Sequence, residues 1–160
     1  MQVTTPIPDS HLDAAARLWG HHFAPPLGHP SPRLRPCHGL AAIGADGVLL
    51  GIAGFRDADG GVLADLPWLA RPLFRPAPPT ADLVIDDIAA AVARRGIGRA
   101  LVGGLAQVAR EAGHPGLRAE VAGGNAPAMA FHAALGFVEI GRGRFGWPWS
   151  GPVAILRRPL

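Results

Sequence analysis

The chain contains no lysine, no tyrosine and a single cysteine, Cys37. Without lysine, all fifteen basic residues are arginines, and twelve acidic residues hold the formal net charge to +3. The sequence pI of about 10.9 therefore reflects missing lysine and tyrosine more than a dense basic stripe. A nucleic-acid partner, which a high pI invites, is not expected from arginines scattered in this way. One cysteine excludes an internal disulfide and fits a reducing compartment. No apolar run approaches the length of a membrane span, and the N-terminus lacks a basic-plus-apolar leader pattern. The expected location is cytoplasmic, with no membrane partner. Charged residues make up 17% and apolar ones 49%, which predicts a folded globule rather than a disordered chain. At 160 residues, a single domain spanning 1–160 is expected, long enough to bury a core without staples.

Along the chain, a first strand is expected around Gln2 to Thr5, and Pro8-Asp9-Ser10 then offers a helix cap. Leu12, Ala15, Ala16 and Trp19 follow at helical spacing and predict one apolar face. From Gly20 to Pro36 the periodicity is lost among Pro, His and Gly, which suggests a short second helix broken by loops. His21, His22, His29 and His38, with Cys37, fit no zinc-ligand spacing, so no metal is expected. His38–Gly44 and Val48–Phe55 read as a hairpin around Ala45-Asp46-Gly47, its second strand buried on both faces. Val62 to Thr80 is an irregular, proline-rich insertion carrying Trp68 and Phe74. It reads as a surface loop or as a wall of an acceptor site.

The most informative stretch joins an expected strand, Leu83–Ala90, to an expected helix from about Ile97 to Ala112. Gly96 and Gly98 sit where the chain turns into that helix. The first amides of a helix have no partner within it, and the helix dipole adds partial positive charge there. Glycines remove side chains that would keep an anion away, and Arg94, Arg95 and Arg99 add full charges. Two readings stand side by side, a phosphate cradle and a tight turn that simply needs glycine. The turn lacks the Gly-Lys-Ser/Thr ending of a nucleotide-triphosphate loop and the third glycine of a dinucleotide fingerprint. Further on, Ile97, Leu101, Leu105 and Val108 form a sheet-facing stripe. Leu117, Ala119 and Val121 alternate as a strand. Asn125 to Leu135 reads as an Ala-rich helix capped by Asn125 and stopped by Gly136. Phe137–Phe145 and Val153–Leu156 are the last strands, giving an α/β (α+β) mixed sheet with helices on both faces.

Arg95-Gly96-Ile97-Gly98-Arg99-Ala100-Leu101-Val102 resembles the pyrophosphate-binding turn of the GNAT superfamily of N-acetyltransferases. Asn125-Ala-Pro-Ala-Met-Ala-Phe-His-Ala-Ala-Leu-Gly-Phe137 resembles that family's Asn…Phe-Tyr-x-x-x-Gly-Phe segment, with His132 in place of Tyr. The resemblance is strong over roughly Leu83 to Phe137. It implies a mostly antiparallel central sheet with splayed strands, acetyl-coenzyme A as donor, and an amine acceptor on a small molecule or peptide. It is compatible with a homodimer. Implied cofactor contacts are Arg94, Arg95, Gly96, Ile97, Gly98, Arg99 and Ala100 at the turn, Asn125, Phe131 and His132 further on, and a strand amide among Ile88, Ala89 and Ala90. The chain departs from the family pattern in having Ala93 at the first motif position and a loop that looks two residues short after Asp86-Asp87.

The implied chemistry makes few demands. An alkyl ammonium with a pKa of about 10.4 must lose a proton before it attacks. The thioester carbonyl needs an N–H donor, and the departing thiolate benefits from a proton. The candidate bases are Asp86, Asp87 and Glu120, each of which also reads as a solvated or paired acid at a strand end. His132 falls where the family places a tyrosine hydroxyl that protonates the thiolate, and it also reads as a packing histidine. Trp68, Trp147 and Trp149 lie in segments suited to an acceptor pocket or to covering the core. Three functions follow: an N-acetyltransferase acting by direct attack, a catalytically weak acetyl-coenzyme A-binding module, and a nucleic-acid-binding domain, which the scattered arginines disfavour.

Overall fold

The computed structural model describes residues 1–23, 32–63, 73–93, 95–146, 148 and 151–160. His29, Trp68, Arg94, Trp147 and Trp149 lie outside the described residues, as does about half of the 20–36 stretch expected to hold a short second helix and about half of the 62–80 insertion. Among the described residues eight strands and three α-helices make a mixed α/β fold, as expected. Their contacts divide the chain into two compact units, 1–65 with 85–108, and 66–84 with 109–160. Among the described residues no helix is long and apolar enough to cross a membrane.

The first unit holds β1 (Gln2–Thr4), α1 (Leu12–Phe23), β2 (Gly39–Ile43), β3 (Leu49–Asp57), β4 (Gly60–Gly61), most of β5 (Leu83–Ala90) and most of α2 (Ile97–Glu111). Its strands run in the order β1-β2-β3-β5, with β4 also on β3. The expected hairpin is present: β2 and β3 pair antiparallel, and Gly47 takes a positive φ of 77° at the turn. Strand β3 is buried from Gly51 to Phe55, as its apolar run requires. The face of α1 predicted from Leu12, Ala15, Ala16 and Trp19 packs on a core of Ile7, Ala41, Ile52, Val62 and Ala89. The N-terminal cap differs from expectation. A 3-10 turn over Asp9–His11 precedes α1, and Pro8 caps it without a side-chain bond. Ser10 Oγ instead meets His11 Nδ1 at 3.0 Å. A side chain that finds a local partner no longer competes for the helix amides.

The second unit holds β6 (Gly116–Ala122), α3 (Ala126–Ala133), β7 (Val138–Gly143) and β8 (Val153–Pro159). The order is β6-β8-β7, antiparallel throughout. Strand β8 runs three residues beyond the expected Leu156, through Arg157 and Arg158. Its apolar pattern ends there, but its pairing does not. Arg157 opposes Arg118 on β6, and its guanidinium holds the buried Asp82 at 2.7 and 3.0 Å. Ladder bonds and an ion pair carry a strand past the point where side-chain periodicity stops predicting it.

Candidate active site

The turn into α2 begins at Gly96, whose φ of 74° is the left-handed region that favours glycine. Its carbonyl accepts the first helical bond, from the Ala100 amide at 3.0 Å. Gly96 therefore occupies the cap, and the amides of Ile97, Gly98 and Arg99 have no intrahelical acceptor. A Cβ built on Gly96 would meet no heavy atom within 4 Å, so the space beside the turn is open. Arg95 and Arg99 are exposed, while Ile97 is buried and anchors the helix. Open amides, a helix N-terminus and two exposed guanidinium groups fit a pyrophosphate. On the preceding strand, Ala89 is buried while Ile88 and Ala90 are half-buried. The Ala91 amide is spent on Leu50 O at 2.8 Å.

The three candidate carboxylates are sorted by their surroundings. Asp86 is held by Arg56 from β3, Nη1 to Oδ1 at 2.5 Å. Glu120 lies 2.9 Å from Nη2 of the buried Arg118. That contact is electrostatic rather than a directed hydrogen bond, since Nη2 lacks hydrogen-bond geometry to any acceptor. Arg118 Nη1 donates to Pro78 O. Asp87 forms no ion pair among the described residues. Its Oδ2 accepts from Trp19 Nε1 at 2.7 Å, and its Oδ1 is buried without a partner. Burial pushes the Asp87 carboxyl up from 3.8 to about 6. The Trp19 bond opposes that rise, the neighbouring Asp86 charge adds to it, and the Gly54 amide opposes weakly without reaching hydrogen-bond geometry at Oδ1. A carboxyl that titrates near neutrality can accept a proton and release it again.

In the second unit, Asn125 caps α3 as the sequence predicts, its Oδ1 accepting from Ala128 N at 3.1 Å. Gly136 ends the helix at φ 84°. Its partners along α3, Phe131 and His132, are half-buried and buried. The His132 ring stands edge-on to Phe131 and Phe137, at 5.2 and 5.1 Å between centroids. Nδ1 lies 2.9 Å from Ala128 O, so Nδ1 carries the hydrogen and donates it. Nε2 is buried without a partner. Burial lowers the His132 pKa below its usual 6.5, and the bond to Ala128 opposes that only partly.

The residues expected at the site thus fall in both units. Asp86, Asp87, Ile88 to Ala90 and Arg95 to Ala100 belong to the first, and Glu120, Asn125, Phe131 and His132 to the second. Trp19 was legible in the sequence only as part of an apolar helix face. Nothing in a linear pattern signals a hydrogen bond across 68 positions. His38 lies between two partners, Cys37 Sγ at 3.3 Å from Nδ1 and Asp57 Oδ1 at 3.2 Å from Nε2. Among the described residues no group of three or more such side chains is arranged to hold a metal.

The description "Acetyltransferase (GNAT) family" matches residues 8–137. No curated protein matches the chain. Among solved structures, a GCN5-related N-acetyltransferase from Kribbella flavida is 25% identical, with a TM-score of 0.66 over 99% of this chain and 97% of that one. The ribosomal-protein-alanine N-acetyltransferase from Brucella melitensis is 19% identical, with a TM-score of 0.64 over the whole of both chains. A putative streptothricin acetyltransferase from Bacillus anthracis, solved in complex with acetyl coenzyme A, is 17% identical, with a TM-score of 0.54 over 76% of this chain and 61% of that one. The last two likenesses are of fold. With the family description covering most of its length, from α1 through the Gly96 turn to the end of α3, this chain belongs to the GNAT acetyltransferase family, a class of acyltransferase enzymes.

Proposed function

We propose that this protein transfers the acetyl group of acetyl-coenzyme A directly to an amine of a small molecule or peptide, with Asp87 as the general base. The observation that carries this reading is the Asp87 carboxyl, pushed up to about 6 and left with one buried oxygen free. Of the three candidate acids it is the one that no guanidinium occupies among the described residues. Bound acetyl-coenzyme A supplies the acetyl group as a thioester. The chain's own task is to hold the phosphates at the amides of Ile97, Gly98 and Arg99, with Arg95 and Arg99 alongside. It must also offer the thioester oxygen an N–H from the strand near Ile88 to Ala90. Asp87 takes the proton from the acceptor ammonium. His132 is the candidate proton donor to the thiolate, a role that requires the imidazolium form.

Thiol release measured against a panel of amines, from small polyamines to peptide N-termini, tests the reaction. Turnover with one class and none with another identifies the acceptor. Binding of the donor without turnover on any amine would favour a module that binds acetyl-coenzyme A without catalysis.

The phosphate cradle has its own test. Acetyl-coenzyme A at ~100 times its Kd should stabilise the fold by about 2.7 kcal/mol, and desulfo-coenzyme A should do much the same. Gly98 is the second residue of α2 and half-buried. Gly98→Val places a branched side chain at the amides and should abolish the thermal shift while the unliganded protein still folds. A shift that survives the substitution would remove the cradle from this turn.

A further inference from the structure

We propose that Trp19 is the positioning residue for Asp87: its indole N–H holds carboxylate Oδ2 and stabilises the ionised form of the base. The inference rests on the reading of Asp87 as the base. Trp19 reaches Asp87 from a different element. It lies on α1 one turn beyond the buried Ala15 and Ala16, packs partly against the core of the first unit, and spans 2.7 Å to Oδ2. Its ring is braced by Phe23 at 5.5 Å, so the donor is held by packing and not by the bond alone. An indole can only donate, so this contact favours the ionised carboxylate and fixes which oxygen is occupied.

The other carboxylate oxygen, Oδ1, is enclosed against β3. A Cβ at Gly54 on β3 would lie 2.9 Å from Asp87 Oδ1 and 2.3 Å from Val62 Cγ1. Only glycine leaves room for Oδ1 there, and among the described residues no side chain bonds it. The charged group acting on Asp87 is Asp86, its neighbour on β5, which Arg56 holds from β3. From α1 comes the uncharged indole. Burial and Asp86 both favour the protonated acid, so the indole is the main contact that keeps a carboxylate present near neutrality. Removing it would leave Asp87 protonated where the reaction needs it ionised, and would let the two oxygens exchange places.

Trp19→Phe keeps an aromatic ring and deletes the donor. The direct readout is the Asp87 carboxyl carbon, followed by NMR titration and assigned by its loss in Asp87→Asn. The midpoint should rise by about one pH unit in Trp19→Phe, a tenfold change in proton affinity. An unchanged midpoint would overturn the inference, since a merely structural Trp19 would lower stability without moving it. Wild-type protein supplies a second readout that no folding defect can obscure. The Trp19 indole N–H resonance should titrate with the same midpoint as the Asp87 carboxyl, and an indole signal indifferent to pH between 4 and 8 (~4 units, spanning the carboxylate range) would equally overturn it. The acid limb of kcat/KM decides the other question. A limb that moves with the carboxyl supports Asp87 as base, whereas a limb that stays while the carboxyl moves leaves Trp19 in control of Asp87 and removes Asp87 from the proton transfer.

Discussion

Asp87→Asn is expected to lower kcat by roughly 10²–10⁴ and, above neutral pH, to make the protein more stable than the native chain. Both effects have one cause, the burial that raises the Asp87 carboxyl from 3.8 to about 6. Between those values the folded chain retains a proton that the unfolded chain has lost. Stability therefore falls as pH rises from about 3.8 through about 6 and is level above that. The full loss corresponds to about 3 kcal/mol, two pH units of differential proton binding. Asparagine carries no charge to bury, and its amide oxygen can still accept from Trp19 Nε1. Its advantage should approach that figure at pH 8 and vanish near pH 4 (about the unperturbed carboxylate value). Urea unfolding at the two pH values measures it, and an acetyl-coenzyme A thermal shift confirms that the donor still binds. A variant no more stable than wild type at the higher pH would mean that Asp87 carries no strain. Full turnover in Asp87→Asn would exclude it as the base.

The second large effect concerns His132. Its Nδ1 hydrogen is committed to Ala128 O, so a proton for the thiolate must come from Nε2, and that requires the imidazolium. Burial lowers its pKa below 6.5, so less than about a quarter is charged at pH 7. Asp87, by contrast, must be ionised, which it is above about 6. A donor with a falling limb below 6.5 and a base with a rising limb near 6 leave a narrow optimum. The expected profile of kcat is a bell displaced well below that of an enzyme with tyrosine in this role. His132→Phe should remove the descending limb at a cost of roughly 10²–10⁴ in kcat, with coenzyme A affinity nearly unchanged. His132→Tyr should restore turnover and carry the limb upward, because a phenol stays protonated to a pH of about 10. A wild-type profile that rises to a plateau through neutral pH would show that His132 does not donate the proton.

Most of what the sequence by itself determined is local. The α2 stripe of Ile97, Leu101 and Leu105, the Asn125 cap, the Gly136 stop and the buried run of β3 all follow from short-range periodicity and backbone preference, and each is where its pattern puts it. The Gly96 turn was legible for the same reason, since a left-handed residue before a helix leaves a signature in the residue type itself. The family resemblance was carried by just such local segments. What the tertiary structure decided was which of several equivalent residues is chemically different. In the sequence, Asp86, Asp87 and Glu120 are three acids on strands. In space, two of them meet guanidinium groups, and the third, half-buried, accepts from an indole 68 positions away. His132 matched its motif position, yet its tautomer and its lowered pKa come from the Ala128 carbonyl and the rings of Phe131 and Phe137 around it. Protonation depends on solvation and on neighbouring charge at distances of a few ångströms. Those distances are set by packing between residues remote in the chain, which no linear pattern encodes.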